Sequence, residues 1–419
     1  MSAQVASSSP LPELPPEIWL NIFQIATFIP RETDLSATTV EPGLFCSYDG
    51  YQAMAFQLVL RLRLSIVLVS RRFYQIGVEV LYTTFHVNAD FKYPGRKLSR
   101  FSALLVSRPE LGRFIKRLSL WADRDDEKNY QIISRCPNVI IFSSSRYSCI
   151  GHMPWWRGGL PKTIRSFDAD VSGVATNDIL RLLETLPHIE VLHLRSLQTD
   201  SIPPPPICLP ALRILCVQFN EYHKAESRLS IFSTMQLPRL TALGSNMGVF
   251  DMSLSFPLEV WQGLEYFKPE YDTYVGLRSD YFRNLRHLHL ILFSEGLEKC
   301  LKYFPFHQLE CLTLRTIPVY TSYTDEWKRR VEPIMGLLLD ATAMPKLKLF
   351  QLDWPHDGIY DYYCQHLKHT ESKARFIRYF DTLTARFEQR GVLFVETNDR
   401  EICPGFQPIR DVLNVCKGS

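Results

Sequence analysis

Several signals are scarce or missing in this 419-residue chain, and each absence closes off a class of function. Its ten cysteines are so spread out that the closest pair, Cys208 and Cys216, stands eight residues apart, and no C-x-x-C pair occurs. Disulfide scaffolds and zinc ribbons need denser or tighter pairs, so the cysteines read as reduced, mostly buried thiols of an intracellular protein, cytoplasmic or nuclear. The segment Met1 to Pro16 has no basic residue and no apolar h-region, and the chain has no N-x-S/T sequon, so a secretory route is not expected. The most apolar stretch, Leu60 to Val69, is broken by Arg61 and Arg63 and falls short of the roughly eighteen residues of a membrane span. Lys plus Arg number 47 against 44 Asp plus Glu, which leaves no field to gather nucleic acid or an anionic membrane. G-x-S-x-G, Walker A and H-E-x-x-H signatures are all missing, so no catalytic residue, metal or cofactor is expected.

What is present is ordinary globular composition, 46% hydrophobic and 22% charged, in a chain long enough for two or three domains or one elongated array. Residues 1–12 read as a flexible Ser/Pro leader. A helical head is expected over 13–90. Leu14, Ile18, Ile22, Ile25 and Ile29 recur at helical steps, with Pro15 and Pro16 at the first turn, Pro30 at the end, and Leu20 and Phe23 off the stripe. A second helical region is expected from about Phe56 to Leu81, with Leu58, Leu62, Ser65, Val69 and Phe73 on one side. Between them, residues 31–57 read as an insertion.

Beyond residue 110 the chain repeats an apolar-x-x-apolar-x-apolar unit, as in Ile115-Leu118-Leu120, Ile189-Leu192-Leu194, Leu285-Leu288-Leu290 and Leu347-Phe350-Leu352. Ten first positions step by 24, 25, 25, 23, 28, 24, 21, 24 and 38 residues, a period that unrelated strands would not keep. Pro often precedes the unit and helices should fill the intervals, most clearly Asn177 to Leu186, around Trp327 to Leu339, and around Phe376 to Phe387. One strand and one helix per repeat cannot bury both faces alone. The expectation is therefore an α/β fold over 91–400, a solenoid with parallel strands on its concave face, helices on its convex face and a C-terminal cap. Residues 401–419 are expected to be a frayed tail.

Strand alternation turns the residue between the last two apolar positions of each unit away from the core. That row contains Asp168, His193, Lys268, His289, Thr313 and Gln351, with Arg315 beside it, and no large apolar residue. Mixed charge with a few aromatics suits a polar protein partner better than lipid or nucleic acid. Weaker motifs include Cys364-x-His366-x-x-His369, the His287/His289 pair, the acidic run Asp123 to Glu127, and Pro203 to Pro206. They read as solvated loop, exposed strand positions, helix start and stiff turn.

The head reads Leu14-Pro15-Pro16-Glu17-Ile18, then Ile22-Phe23, then Leu68-Val69-Ser70-Arg71-Arg72-Phe73-Tyr74 and Glu79-Val80-Leu81-Tyr82. These segments resemble the F-box, in a form common among fungal F-box proteins, and the repeats resemble the leucine-rich repeats that many such proteins carry. The resemblance implies a noncatalytic substrate receptor of an SCF-type cullin–RING ubiquitin ligase. Its head would dock on a Skp-type adaptor, and through it on cullin, while the repeats hold an unidentified protein substrate. Carried over position by position, the implied adaptor contacts are Leu14, Pro15, Ile18, Ile22, Phe23, Val69 and Phe73. The insertion at 31–57 departs from the family, which usually has about ten residues there. The alternative is a leucine-rich-repeat interaction scaffold that recruits no ligase.

Overall fold

A computed structural model describes residues 14–28, 50–86, 94–121, 126–145, 159–172, 174–197, 206–219, 235–245, 256–269, 281–291, 297, 301, 306–315, 325–354 and 370–398. The N-terminal part is built from α1 (Pro16–Ala26), α2 (Gly50–Leu68) and α3 (Arg71–Tyr82). Pro15 and Pro16 start α1, where a missing N–H costs nothing, and Thr27 closes it by donating its hydroxyl to the Phe23 carbonyl at 2.7 Å. The single helical region expected from Phe56 to Leu81 is instead two helices. Ser70 takes an extended backbone and its hydroxyl accepts the Phe73 N–H at 3.1 Å, so the chain breaks after Val69 and restarts at Arg71. The second helix also begins at Gly50, so residues 50–57 of the expected insertion are helical.

Both α1 and α2 pack on α3, and Gly77 makes this possible. A Cβ there would lie 2.9 Å from Val67 Cγ1 and 3.4 Å from Phe23 Cδ2. Arg63 donates to the Thr27 carbonyl at 3.0 Å and Arg72 to the Leu14 carbonyl at 3.1 Å, tying both ends of α1 to its neighbours.

The rest is a mixed α/β arrangement around one open, all-parallel sheet of 12 strands. Its strands are β1 (Thr84–His86), β2 (Arg117–Trp121), β3 (Ile141–Ser145), β4 (Ser166–Asp170), β5 (Val191–Leu197), β7 (Ile214–Phe219), β9 (Ala242–Ser245), β10 (Tyr266–Pro269), β11 (His287–Ile291), β12 (Cys311–Arg315), β13 (Leu349–Trp354) and β14 (Leu393–Asn398). They lie side by side in chain order. Two further short strands, β6 (Ile207–Cys208) and β8 (Met235–Gln236), pair only with each other, where the repeat pattern predicts helices. The sheet begins at Thr84, inside the residues expected for the head, and β14 extends it where a cap is expected.

Register follows the repeat unit. Leu192, Leu215, Leu243 and Phe267 are successive partners, as are Leu288, Leu312, Phe350 and Phe394. This ladder faces the interior, where it meets residues of α4 (Pro94–Ser107), α5 (Asp126–Ser134), α6 (Thr176–Glu184), α7 (Leu258–Gly263), α8 (Asp325–Leu339) and α9 (Thr370–Gln389) in one continuous core. A turn enters each strand: Ile189 N–H bonds the Leu186 carbonyl, Leu212 the Leu209 carbonyl and Leu347 the Met344 carbonyl, and all six side chains are buried.

Gly112, in the short 3-10 helix Pro109–Phe114, approaches the end of α5 so closely that a Cβ would lie 1.9 Å from the Arg135 carbonyl oxygen. Gly112→Ala must displace backbone and is expected to destabilise by about 3 kcal/mol or more, whereas Gly77→Ala, which meets side chains, should cost about 1–3 kcal/mol. Melting curves of the two variants beside the wild type check the order.

Candidate functional site

The sequence nominates two surfaces, and the first is the head. The α1 stripe faces solvent: Ile18, Ile22 and Ile25 are 43%, 40% and 77% exposed, and Leu14 and Phe28 lie open beside them. The packing face is instead Trp19, Phe23 and Thr27. Trp19 and Phe23 meet Phe73 with ring centroids 4.9 and 5.1 Å apart. Of the seven expected adaptor contacts, Leu14, Pro15, Ile18, Ile22 and Val69 are therefore exposed. Phe23 is buried and Phe73 half-buried, and both belong to the core that holds the helices together. The α2 helix buries Arg63 and Val67 while exposing Leu58, Leu60, Leu62, Leu64 and Leu68. Each of these open aliphatic side chains would contribute roughly 1.5–3 kcal/mol if a partner covered it.

The second surface is the sheet face turned away from the core. Its middle row runs in register through Ser143, Asp168, His193 and Cys216, then Gly244 and Lys268, then His289, Thr313 and Gln351. The expected row is present, but it is not solvent-exposed as expected. His193, Lys268, His289 and Thr313 are buried, and Asp168, Arg315 and Gln351 are half-buried. Neighbouring strands about 4.8 Å apart bring each side chain against one on either side. Thr313 donates to Gln351 Oε1 at 2.9 Å, and Arg195 Nη2 lies 3.2 Å from Asp168 Oδ1. Arg195 also donates to the Ser144 carbonyl, two strands away, at 2.7 Å, and β5 shifts register against β7 just beyond it, with Ser196 at φ 56°.

The row's chemistry follows from its order. His193 Nδ1 lies 3.9 Å from Asp168 Oδ1, but Asp168 stands between His193 and Ser143, so serine and imidazole are two strands apart, roughly 10 Å. An imidazole there cannot take the serine proton. His287 and His289 share this face of β11, and burial is the first cause holding both below the ordinary imidazole range. Around His289 the neighbouring charges, Lys268 and Arg315, act the same way.

Two features of this face escape the repeat reading. Ile141, Val191, Ile214, Ala242 and Tyr266, with Cys216 of the row itself, form a second buried apolar cluster, and stepping the same alternation two residues back from the row finds all but Cys216. At the strand entries runs a charged rail. Glu190 pairs with Arg165 on one side and with Arg213, at 3.5 Å, on the other, and Lys348 donates to Glu310 at 2.8 Å, which holds the Glu310 carboxyl below its usual range. No group of three or more metal-ligating side chains occurs among the described residues, nor does any helix there have the length and apolarity to cross a membrane. The Cys364-x-His366-x-x-His369 motif lies outside the described residues, and Asp126 and Glu127 of the acidic run open α5. No family model matches the sequence, and no curated protein matches it.

Buried neutral histidines tie stability to pH. His86 is held at about 4, first by burial and then by Arg117 and Lys97, and His287 and His289 are lowered too. Unfolded imidazoles take up protons near 6.5, while the folded ones resist until lower pH, so the unfolded state gains protons first as pH falls. The histidine contribution should be flat above about pH 7 and drop by up to about 1.4 kcal/mol per pH unit per histidine between about pH 6.5 and 4. Urea melts across this range check the slope, and His86→Gln should make it shallower.

Proposed function

We propose that the chain is a noncatalytic substrate-recognition subunit of an SCF-type cullin–RING ubiquitin ligase. The N-terminal helices would serve as an F-box that binds a Skp-type adaptor. The sheet and its helices would serve as a leucine-rich-repeat solenoid that holds a target protein for ubiquitin transfer by other subunits. The observation that carries this reading is the split of the apolar residues of the Leu14–Phe23 segment. Phe23 packs inward against Phe73, while Leu14, Ile18 and Ile22 stay uncovered. A small head that builds its core from other residues and still keeps an aliphatic stripe open fits a docking surface.

The alternative, a scaffold whose head packs on its own repeats, draws on the contacts between α3 and the start of the sheet. Arg108 donates to the Tyr74 hydroxyl at 2.9 Å, and the Thr83 carbonyl accepts from Lys116 and Arg117. Those contacts use α3 and leave the α1 stripe open, which favours the receptor reading.

Ile18→Glu with Ile22→Glu is expected to weaken binding of purified adaptor about 100-fold or more, the equivalent of roughly 3 kcal/mol for two lost aliphatic anchors. Its melting should change by less than about 0.5 kcal/mol, because both positions are exposed. Phe23→Ala should instead unfold the head at a cost of about 3–5 kcal/mol. Undiminished adaptor binding by the double variant refutes the docking surface.

A further inference from the structure

We infer that the cavity between α8 and α9 is a binding site for a small zwitterion with an apolar side chain, an α-amino acid the size of leucine or phenylalanine. The cavity holds about 260 Å³ and is lined by Glu332, Met335 and Gly336 of α8 and by Tyr379, Thr382, Leu383 and Arg386 of α9. Each set forms one helix row, since residues three, four and seven apart share a face. The site lies on the helix side of the sheet, against the continuous core to which Met335 and Leu383 belong, so it is separate from the proposed adaptor and target surfaces.

Gly336 makes the opening: a Cβ there would meet nothing within 4 Å, so this part of the wall is missing. The floor is apolar, with Met335 and Leu383 buried and Tyr379 packed against the core. An apolar cavity of about 150 Å³ takes a benzene ring, so 260 Å³ accepts a branched or aromatic side chain with room for its polar end. It falls short of the roughly 300–1,000 Å³ of sites that take larger ligands.

The rim selects the charge. Glu332 and Arg386 are exposed and of opposite sign, and among the described residues neither is held in an ion pair or hydrogen bond. Both act on the Tyr379 hydroxyl, in opposite directions, so both lie near it. Burial is the first cause pushing that hydroxyl up to about 12, which keeps it neutral and repelling neither end of a zwitterion. The Thr382 hydroxyl donates to the Arg378 carbonyl at 2.8 Å, so it offers a ligand only lone pairs. Arg386 therefore suits a carboxylate, while Glu332 and Thr382 suit an ammonium. An anion alone would meet Glu332 and a cation alone would meet Arg386, whereas a zwitterion answers both and places its apolar side chain in the space over Gly336.

The test uses the full chain with isotope-labelled methionine methyl groups and follows the Met335 resonance, assigned by its loss in Met335→Leu. Free leucine or phenylalanine should shift it saturably with a Kd of about 1 mM or tighter, within reach of a ligand of this size. Isovalerate, which lacks the ammonium, and isoamylamine, which lacks the carboxylate, should each bind at least about tenfold more weakly, the loss expected for a hydrogen bond between charged groups. Arg386→Gln should weaken leucine binding by a similar factor, with Arg386→Lys restoring part of it. Gly336→Leu should fill the cavity and abolish the shift without lowering the melting temperature, because leucine also favours the helix. If that variant melts early, the exposed Arg386→Gln decides by itself. No saturation by about 10 mM, equal binding of isovalerate or isoamylamine, or unchanged saturation in a folded Gly336→Leu or in Arg386→Gln overturns the site. Saturation by N-acetyl-leucinamide but not by leucine also overturns it, and assigns the cavity to a side chain of a bound polypeptide.

Discussion

The structure depends on a doubled hydrogen bond at the entry of each strand from β2 to β13 of the large sheet. One backbone carbonyl accepts two successive N–H groups from the next strand. Arg165 takes those of Glu190 and Val191, Glu190 those of Arg213 and Ile214, and the series continues through Arg213, Thr241, Glu265, Arg286 and Glu310. A slip of one residue on any strand would break both bonds and turn its apolar side chains outward. The core ladder, the polar row and the charged rail are three readings of that one register.

Because register is fixed at the entry, side-chain size has to be solved locally. Where the ladder carries Phe, neighbours adapt. Phe142 stacks on Phe167 at 5.7 Å, and Phe350 packs between Phe394 and Phe387 of α9. Trp261 of α7 is fully buried beneath Phe267. Half-exposed pairs such as Arg165 with Glu190 contribute little stability each. Their alternating signs instead disfavour a wrong neighbour, since like charges would then face each other across strands.

Much of the sheet was legible because the ladder is a covalent periodicity: each unit repeats Leu or Phe at fixed spacing, and each pairs in register with the next. The helices at 176–184, 325–339 and 370–389 were legible for the same reason. The break at Ser70 was not, because Leu68 and Val69 continue an apolar run and only the cap geometry separates α2 from α3. The direction of the α1 stripe was not legible either. Periodicity shows that Leu14, Ile18 and Ile22 share a face, yet which face is buried depends on Phe73 and Gly77 fifty or more residues later. Burial of the polar row depends on neighbours in space, which alternation along one strand does not count.

Thr83 follows α3 directly and precedes β1, and its carbonyl already accepts from Lys116 and Arg117 at the start of β2. No spacer separates the helices from the sheet. Distance across the molecule is then measured in strands. His289 sits eight strand steps from β1 in the sheet order, roughly 38 Å along the sheet, and Asp168 only three, roughly 14 Å. Any side chain of the polar row lies at a distance from the N-terminal helices set by which strand carries it. Inserting or deleting one repeat between them would lengthen or shorten that distance by about 5 Å, like moving a stop along a graduated rule.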